Sequence, residues 1–564
     1  LTRGVPSLYV DVRPLLGDPA KSAAVQQLVE SYRETLRSSG TYPPLFGSDA
    51  APGPESPQTL VWVLFFLARF YDRLGRLEEA LAHIEEALAH TPTVIELHVA
   101  KAKILKHAGD LEGAAHVAET SRRMDLQDRF LNSVAVKALL AAGHCAAAER
   151  TASLFTRDGE QGAYTLYDMQ HMWYEVAAGR AHAARGSGAA GPALKKYMAV
   201  VQHFADIHED QFDFHSYCIR KGTLRSYVSM LGMMDKLYNH DFYSKAACGA
   251  IRMYLQLHDC PPGAANGVDE EALLAGMSAE ERKKYKLTKK KEEKEKARKA
   301  AEEKEREERE KREKEKAAAQ KGNKKASAAA SRREPDPDPE GAKLAATPDP
   351  LGEAAKLVEV LVRQAPGRLS SHTAAAEVAL RRGRLVVALR AVRQAAAVAE
   401  GGAAHPEVHV LVVRLALAVQ TSPPENPVVR SVVDAGLQAL LGGRSAAEYD
   451  EAWRATHGSA SLSHRVAAGS AMVLLSGQEG GRQQAVAHVL AHDLSSGPQD
   501  HSQCVEVHQL LRDKWADAAA AERWQQACAQ AFPHSRYFGG ARVMALEPAY
   551  DFDNMREAFG KLSF

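Results

Sequence analysis

The chain has 564 residues, 45% of them hydrophobic, and its 72 Lys and Arg nearly balance its 71 Asp and Glu, leaving a formal charge of +1. This balance excludes a protein drawn to nucleic acid or to a membrane by its overall charge. The six cysteines form no CxxC pair, which argues against a disulfide framework or a structural zinc site and favours a reducing, cytoplasmic setting. The longest apolar run, Leu60–Ala68, is too short to cross a bilayer, so we expect no membrane contact.

The first region, residues 1–56, is predicted to be a helical segment that continues a repeat array. Leu1 lies in sequence typical of the middle of a domain rather than of its beginning. We therefore expect the chain to be N-terminally incomplete.

Residues 57–260 carry a repeat of 34 residues, the period of tetratricopeptide helix pairs. Its markers are three glycines and three alanines: Gly75, Gly109 and Gly143, with Ala80, Ala114 and Ala148. The glycines allow a turn between two antiparallel helices, the alanines allow those helices to approach closely, and Pro92 ends a second helix. Looser helix pairs follow up to residue 260.

The stretch "DQFDFHSYCIRKGTLRSYVSML", residues 210–231, is predicted to be one scaffold helix. Its apolar residues recur every three or four positions and are expected to pack in the core; they are Phe214, Tyr217, Cys218, Leu224, Val228 and Leu231. His215 could in principle activate the Cys218 thiol, but a buried cysteine is usually inert. The basic residues Arg220, Lys221 and Arg225 are candidates for partner binding, or they merely flank their helix.

Residues 261–288 are predicted to be a linker with a basic cluster, and residues 289–334 a charged helix followed by a flexible segment. Every residue from Lys289 to Lys316 is charged except three alanines, and its Glu–Lys pairs are spaced to support a solvated single helix. The basic cluster suits an RNA backbone or another polyanion; its residues are Arg282, Lys283, Lys284, Lys286, Lys289, Lys290 and Lys291. The alternative is a plain spacer.

Helical periodicity returns in the last region, residues 335–564. Gly383 and Ala388 repeat the earlier spacing of a turn glycine and a close-packed alanine. With no β-rich segment in the sequence, the predicted fold is an all-α tetratricopeptide solenoid with a long charged helix and a C-terminal helical-repeat region.

A cluster of basic residues falls on first helices of adjacent repeats. Lys103 and Lys137 are 34 residues apart, and Lys106 is one turn beyond Lys103. Together with Lys101 and Arg129 they could form a phosphate-binding surface, or they could be solvated side chains beside acidic neighbours.

Several phrases in order, among them residues 210–231, "FYSKAACGAIRMYLQLHDCPP", the charged helix and "PDPLGEAAKLVEVLV", resemble the auxiliary subunit of the N-terminal acetyltransferase A (NatA) complex. The resemblance implies a superhelical, ring-like scaffold that wraps a small catalytic subunit, and that subunit binds acetyl-CoA. It also implies that the scaffold docks the catalytic subunit on ribosomal RNA near the exit tunnel, for co-translational N-terminal acetylation. The resemblance further implies that inositol hexakisphosphate bridges the two subunits near the lysine cluster. A small regulatory subunit is implied as another partner, and the implied location is cytoplasmic and ribosome-associated.

Two rival functions stay open on the residues alone. A generic tetratricopeptide adaptor or co-chaperone would bind short acidic tails without a catalytic subunit. An enzyme would transfer acetyl groups by itself, and "RGSGAA", residues 185–190, matches the loop that holds acetyl-CoA in acetyltransferases. That loop needs a strand before it, whereas here it joins two predicted helices. We therefore predict no catalytic residue and no metal ligand.

Overall fold

The computed structural model describes residues 1–43, 53–156, 162–222, 224–261, 336–477, 480–497 and 499–543. These ranges contain helices and, as their sole β contact, one isolated bridge between Thr41 and Pro54. The predicted all-α fold is confirmed. None of the helices in these ranges combines the length and apolar content that a membrane crossing requires. The predicted linker and charged helix, residues 261–334, lie almost wholly outside the described residues.

The N-terminal segment packs its helices against the first repeat. It consists of α1 (Leu8–Val12), a 3-10 turn (Arg13–Gly17) and α2 (Pro19–Ser39). The Asp18 side chain accepts hydrogen bonds from the first backbone N–H groups of α2 and so begins that helix. The Tyr9 ring meets the Phe66 ring edge to face at 5.6 Å, which anchors α1 on the repeat array.

Three regular helix pairs follow, in the predicted register. They are α3 (Pro57–Arg73) with α4 (Leu77–His90), α5 (Ile95–His107) with α6 (Leu111–Met124), and α7 (Arg129–Ala141) with α8 (Cys145–Ser153). Each turn glycine has a left-handed backbone, with φ of +73° at Gly75, +84° at Gly109 and +88° at Gly143. The marker alanines Ala80, Ala114 and Ala148 are buried where the helices of a pair cross. The tetratricopeptide prediction is thereby confirmed.

The next part of the chain is less regular. It contains α9 (Gly162–Asp168), α10 (Met172–Ala183), α11 (Ala190–Glu209), α12 (Gln211–Lys221), α13 (Leu224–Met234) and α14 (Asp241–Asp259). Helices α10, α11 and α14 share one core, in which His203 bonds to Glu175 at 2.9 Å although both side chains are buried.

Helical packing continues after residue 336. The helices are α15 (Ala342–Ala345), α16 (Pro350–Gln364), α17 (Leu369–Arg381), α18 (Leu385–Val398), α19 (Pro406–Thr421), α20 (Pro427–Leu441), α21 (Ala446–His457), α22 (Leu462–Ser476), α23 (Gly480–Leu490), α24 (His501–Gln509) and α25 (Ala518–Ala531). Gly383 has φ of +66° and Ala388 is fully buried, as the predicted helix pair requires.

The two halves of the chain join through α14. Helices α14 and α16 contribute to one hydrophobic core. Arg381, at the end of α17, bonds to both carboxylate oxygens of Asp259, at the end of α14, with 2.7 Å for the shorter contact. Lys195 on α11 pairs with Asp336 at 2.7 Å. The helical array is therefore continuous from one half to the other.

The C-terminal helices return to the first two repeats and close the array into a ring. Arg536 donates to Asp110 at 3.1 Å, across 426 residues of sequence. His534 and Arg542 both contact Glu78, and the buried His501 ring lies directly against Gly109. We call this contact the seam; it joins the turns of repeats one and two to residues 501–542.

Candidate functional site

The consecutive helices α12 and α13 present an apolar face to solvent. Leu224, Val228 and Leu231 are 79%, 57% and 39% exposed, and Tyr217 on α12 is also exposed. The prediction of one helix with a core stripe is therefore wrong for these residues: the chain breaks into two helices, and α13 buries none of its side chains. The spacing does place the apolar residues on one face, but no described segment covers it. The side chains of Phe214, His215 and Cys218 lie outside the described residues.

The predicted partner-binding residues border this apolar face. Arg220 and Lys221 end α12, and Arg225 lies in the first turn of α13; all three are exposed. Arg220 donates only to the Ser216 carbonyl of its own helix among the described contacts. An exposed apolar patch rimmed by charge is typical of a protein interface. Helices α12 and α13 thus offer a stripe of large apolar side chains with positive charge beside it.

The five residues of the predicted phosphate surface lie on α5 and α7, and three of them have contacts within the chain. Lys101 pairs with Glu85 at 2.6 Å. The Lys137 ammonium lies 4.8 Å from the centre of the Trp173 ring, and the Arg129 guanidinium 5.7 Å from that of Phe155. Lys106 is exposed. Lys103 alone of the five lines the cavity described next.

Lys103 borders a cleft of about 310 Å³ between the N-terminal segment, α3 and α5. Three arginines share it, Arg13, Arg69 and Arg73, with Tyr9, Asp72, Ala100, Ile104 and His107 completing the lining. Asp72, the one carboxylate in this lining, is already bonded to the His107 ring at 2.6 Å. We call this cavity the basic cleft.

Sequence reasoning missed Arg69, which the 34-residue period could have found. Arg69 precedes Lys103 by the same 34 residues that separate Lys103 from Lys137, so three successive repeats carry a cation at one equivalent position. Its guanidinium lies 4.6 Å from the Tyr9 ring centre and 5.4 Å from that of Phe65. Arg69 also donates to the Pro6 carbonyl at 3.3 Å, which holds it in place.

Of the five cysteines whose side chains the structure describes, Cys260 is exposed and the other four are buried. Cys145 and Cys248 are buried, and burial raises the pKa of both thiols, which disfavours the reactive thiolate. The loop of residues 185–190 contains a 3-10 turn, Ser187–Ala189, between α10 and α11 rather than following a strand. The predicted RNA-binding cluster, residues 282–291, lies outside the described residues.

Comparison with known proteins assigns the family. A sequence model described as N-terminal acetyltransferase A, auxiliary subunit, matches residues 1–395. The N-terminal acetyltransferase A complex auxiliary subunit NAA15 of Arabidopsis thaliana is 38% identical over 557 residues, which are 96% of this chain and 58% of that protein. The NatA auxiliary subunit N-alpha-acetyltransferase 16 of Homo sapiens is 32% identical over 539 residues, 95% of this chain and 60% of that protein.

A solved structure agrees with these relatives. The structure of Naa15/Naa10 bound to HypK-THB matches with a TM-score of 0.57 and 28% identity, over 78% of this chain and 53% of that one. The chain therefore spans little more than half the length of the relatives it matches. The match of the family model over most of the chain, together with the curated relatives, shows that the chain belongs to the family of NatA auxiliary subunits.

Proposed function

We propose that the chain is a non-catalytic scaffold subunit of an N-terminal acetyltransferase A complex, which binds and shapes a small catalytic subunit. Family membership supports this role, as does the solved relative in which Naa15 stands with Naa10. The counterpart of Naa10 would be the catalytic partner and would bind acetyl-CoA. The counterpart of HypK would be a small regulatory partner.

The observation that carries the proposal is the exposed apolar face of α13. Large apolar side chains such as Leu224 stabilise a complex when they leave water, by roughly 25 cal/mol for each Å² buried. The neighbouring Arg220, Lys221 and Arg225 favour a partner with an acidic rim, since opposite charges steer and orient association. We assign the catalytic subunit to this face.

Charge placed on the apolar face tests the assignment. Leu224→Glu with Val228→Glu should weaken binding of the catalytic subunit at least about 100-fold, because two carboxylates would be desolvated in the interface. The matched control is Val428→Glu with Val432→Glu, two exposed apolar residues one turn apart on α20. Calorimetric titration with the purified catalytic subunit provides the measurement. Equal affinities of wild type and the α13 double variant would remove this face from the interface.

The same proposal predicts that the isolated chain transfers no acetyl group. The acetyl-CoA loop of such enzymes places backbone N–H groups at a helix N-terminus that follows a strand, and residues 185–190 have no such setting. The assay is turnover of acetyl-CoA on Ser- and Ala-starting peptides. Turnover by the chain alone, at a rate comparable to that of the complex, would contradict the scaffold role.

Ribosome association forms a second part of the proposal and rests on the basic cluster of the sequence. Replacing the lysines between residues 282 and 291 by glutamine should weaken co-sedimentation with ribosomes. Wild-type binding should fall steeply with salt, since each phosphate contact releases counterions. Binding of the catalytic subunit should persist. Unchanged sedimentation would leave the segment as a spacer and remove the basis for a ribosome-associated location.

The binding of inositol hexakisphosphate to the lysine cluster stays a prediction. Calorimetry on the complex should detect binding at micromolar concentration, and Lys103→Glu with Lys137→Glu should abolish it. Equal heat from the double variant would exclude these two lysines as ligands.

A further inference from the structure

The basic cleft holds positive charge that the described chain does not neutralise. Arg13, Arg73 and Lys103 make no ion pair with any described carboxylate, and Arg13 and Arg73 are exposed at its mouth. The carboxylate in the lining, Asp72, is bonded to His107. Like charges held together are unfavourable unless an anion accompanies them.

One of the four cations, Arg69, is held in place by its neighbours. Arg69 is sandwiched by its contacts to Tyr9, Phe65 and the Pro6 carbonyl. Burial lowers the pKa of Arg69, and the nearby positive charge of Arg13 lowers it further, although the Tyr9 and Asp72 groups act in the opposite direction. Arg69 therefore supplies a fixed positive charge at the base of the cleft, which needs little rearrangement when an anion binds.

The cleft lies at helix C-termini and so lacks the backbone N–H groups of a typical phosphate site. Phosphate sites are usually built from backbone N–H groups at helix N-termini. Here Arg73 and His107 are the last residues of α3 and α5, so the nearby free backbone groups are carbonyls, which carry partial negative charge. The attraction for an anion therefore comes from the cationic side chains alone, and the exposed ones can accept carboxylates that are spaced along a chain.

The floor of the cleft is apolar. Tyr9, Ala100 and Ile104 line it beneath the cations. Its volume of about 310 Å³ is at the small end of ligand pockets, enough for a side chain or two rather than a folded surface. Acidic residues interspersed with apolar ones would satisfy both parts of the lining.

We infer that the basic cleft binds an acidic, partly apolar peptide segment of a partner polypeptide, with one apolar side chain on the Tyr9–Ile104 floor and with carboxylates at the mouth, on the exposed Arg13, Arg73 and Lys103. This site is separate from the α13 face and does not depend on the scaffold role. The equivalent cation of the next repeat, Lys137, is also exposed.

The test uses the full chain and a fluorescein-labelled peptide of repeated Glu-Leu-Glu-Ala units, followed by fluorescence anisotropy. Arg73→Glu with Lys103→Glu should weaken binding at least about tenfold, and rising salt should weaken wild-type binding. The control variant is Arg390→Glu with Arg393→Glu, which makes the same charge change at exposed positions of α18. Its affinity should match that of wild type.

A second pair of substitutions and a competition experiment complete the test. Arg73→Gln with Lys103→Gln, which removes charge without reversing it, should give a smaller loss in the same direction and serves if the reversal unfolds the chain. Inorganic pyrophosphate at the peptide's own concentration should not displace the peptide. Equal binding by both cleft variants and wild type, or displacement by pyrophosphate, would overturn the assignment. The variant Leu224→Glu with Val228→Glu should bind the peptide normally, which separates this result from that of the scaffold role.

Discussion

Gly109 and Gly143 hold equivalent turns but face different surroundings. Both have left-handed φ angles, +84° and +88°. A Cβ at Gly143 would meet nothing within 4 Å, whereas a Cβ at Gly109 would lie 2.3 Å from the Cδ2 atom of His501. Gly143 is therefore required only by the turn, whereas Gly109 is required both by the turn and by the close approach of His501 at the seam.

Alanine at the two positions should separate these roles. Gly143→Ala should lower the free energy of unfolding by about 1–2 kcal/mol through backbone strain alone. Gly109→Ala carries the same strain and adds the clash with His501, so we expect a clearly larger loss and a looser seam. Urea denaturation of both variants, with proteolysis of the seam region, makes the comparison. Equal losses would mean that His501 moves aside at no cost.

At the scale of elements, α14 and α17 are tied by a pair of charges. The Arg381 guanidinium, bonded to Asp259, lowers the pKa of that carboxyl to about 2 despite partial burial, which acts in the opposite direction. Arg381 and Arg414 on α19 both contact Glu377 as well. The network links α14, which precedes the segment that joins the two halves, to α17 and α19, which follow that segment.

This pair should make the junction sensitive to acid. The Asp259 pKa is lower in the folded chain than in the unfolded one, so its stabilisation is complete above about pH 4–5 and is lost as the pH falls toward 2. Asp259→Asn should destabilise at neutral pH, and the difference from wild type should shrink below about pH 4. Urea denaturation from pH 7 to pH 3 is the measurement, with Glu353→Gln, whose Lys356 partner is on the same helix, as control. A pH-independent difference would contradict the ion pair.

Which elements the sequence could predict depends on how local their causes are. The turn glycines and close-packed alanines act within one helix pair, so their 34-residue period identified three repeats and the Gly383 pair. The α12–α13 stripe has the same periodicity as a core helix, and periodicity shows which side is apolar but not whether its neighbour belongs to the same chain. The exposure of Leu224 could therefore not be predicted.

At the scale of the molecule, the seam closes the array through a few polar contacts. Asp110 is fully buried, caps α6 through the Gly113 N–H and receives Arg536 at 3.1 Å. Contacts between residues this far apart leave no local pattern, so the sequence analysis did not identify them. The resemblance implied a ring without naming the residues that close it.

Removing Arg536 should open the ring. Arg536→Ala takes a charged partner from buried Asp110, which costs about 1–3 kcal/mol at the seam. Amide hydrogen exchange should speed up around residues 108–113, and small-angle scattering should report a larger radius of gyration. Arg512→Ala, which removes a pair with the adjacent Asp513, should change neither. An unchanged exchange rate in Arg536→Ala would show that the apolar packing of His501 suffices to hold the seam.

The seam can form only late in the synthesis of the chain. Arg536 follows Asp110 by 426 residues, so at about 5–20 residues per second the growing chain stays open for roughly 20–90 s after Asp110 has been made. A partner present in that interval can enter the unfinished ring from its open side. A partner that arrived afterwards would have to wait for the seam to separate, so the order in which the two proteins are made would then set how fast they assemble.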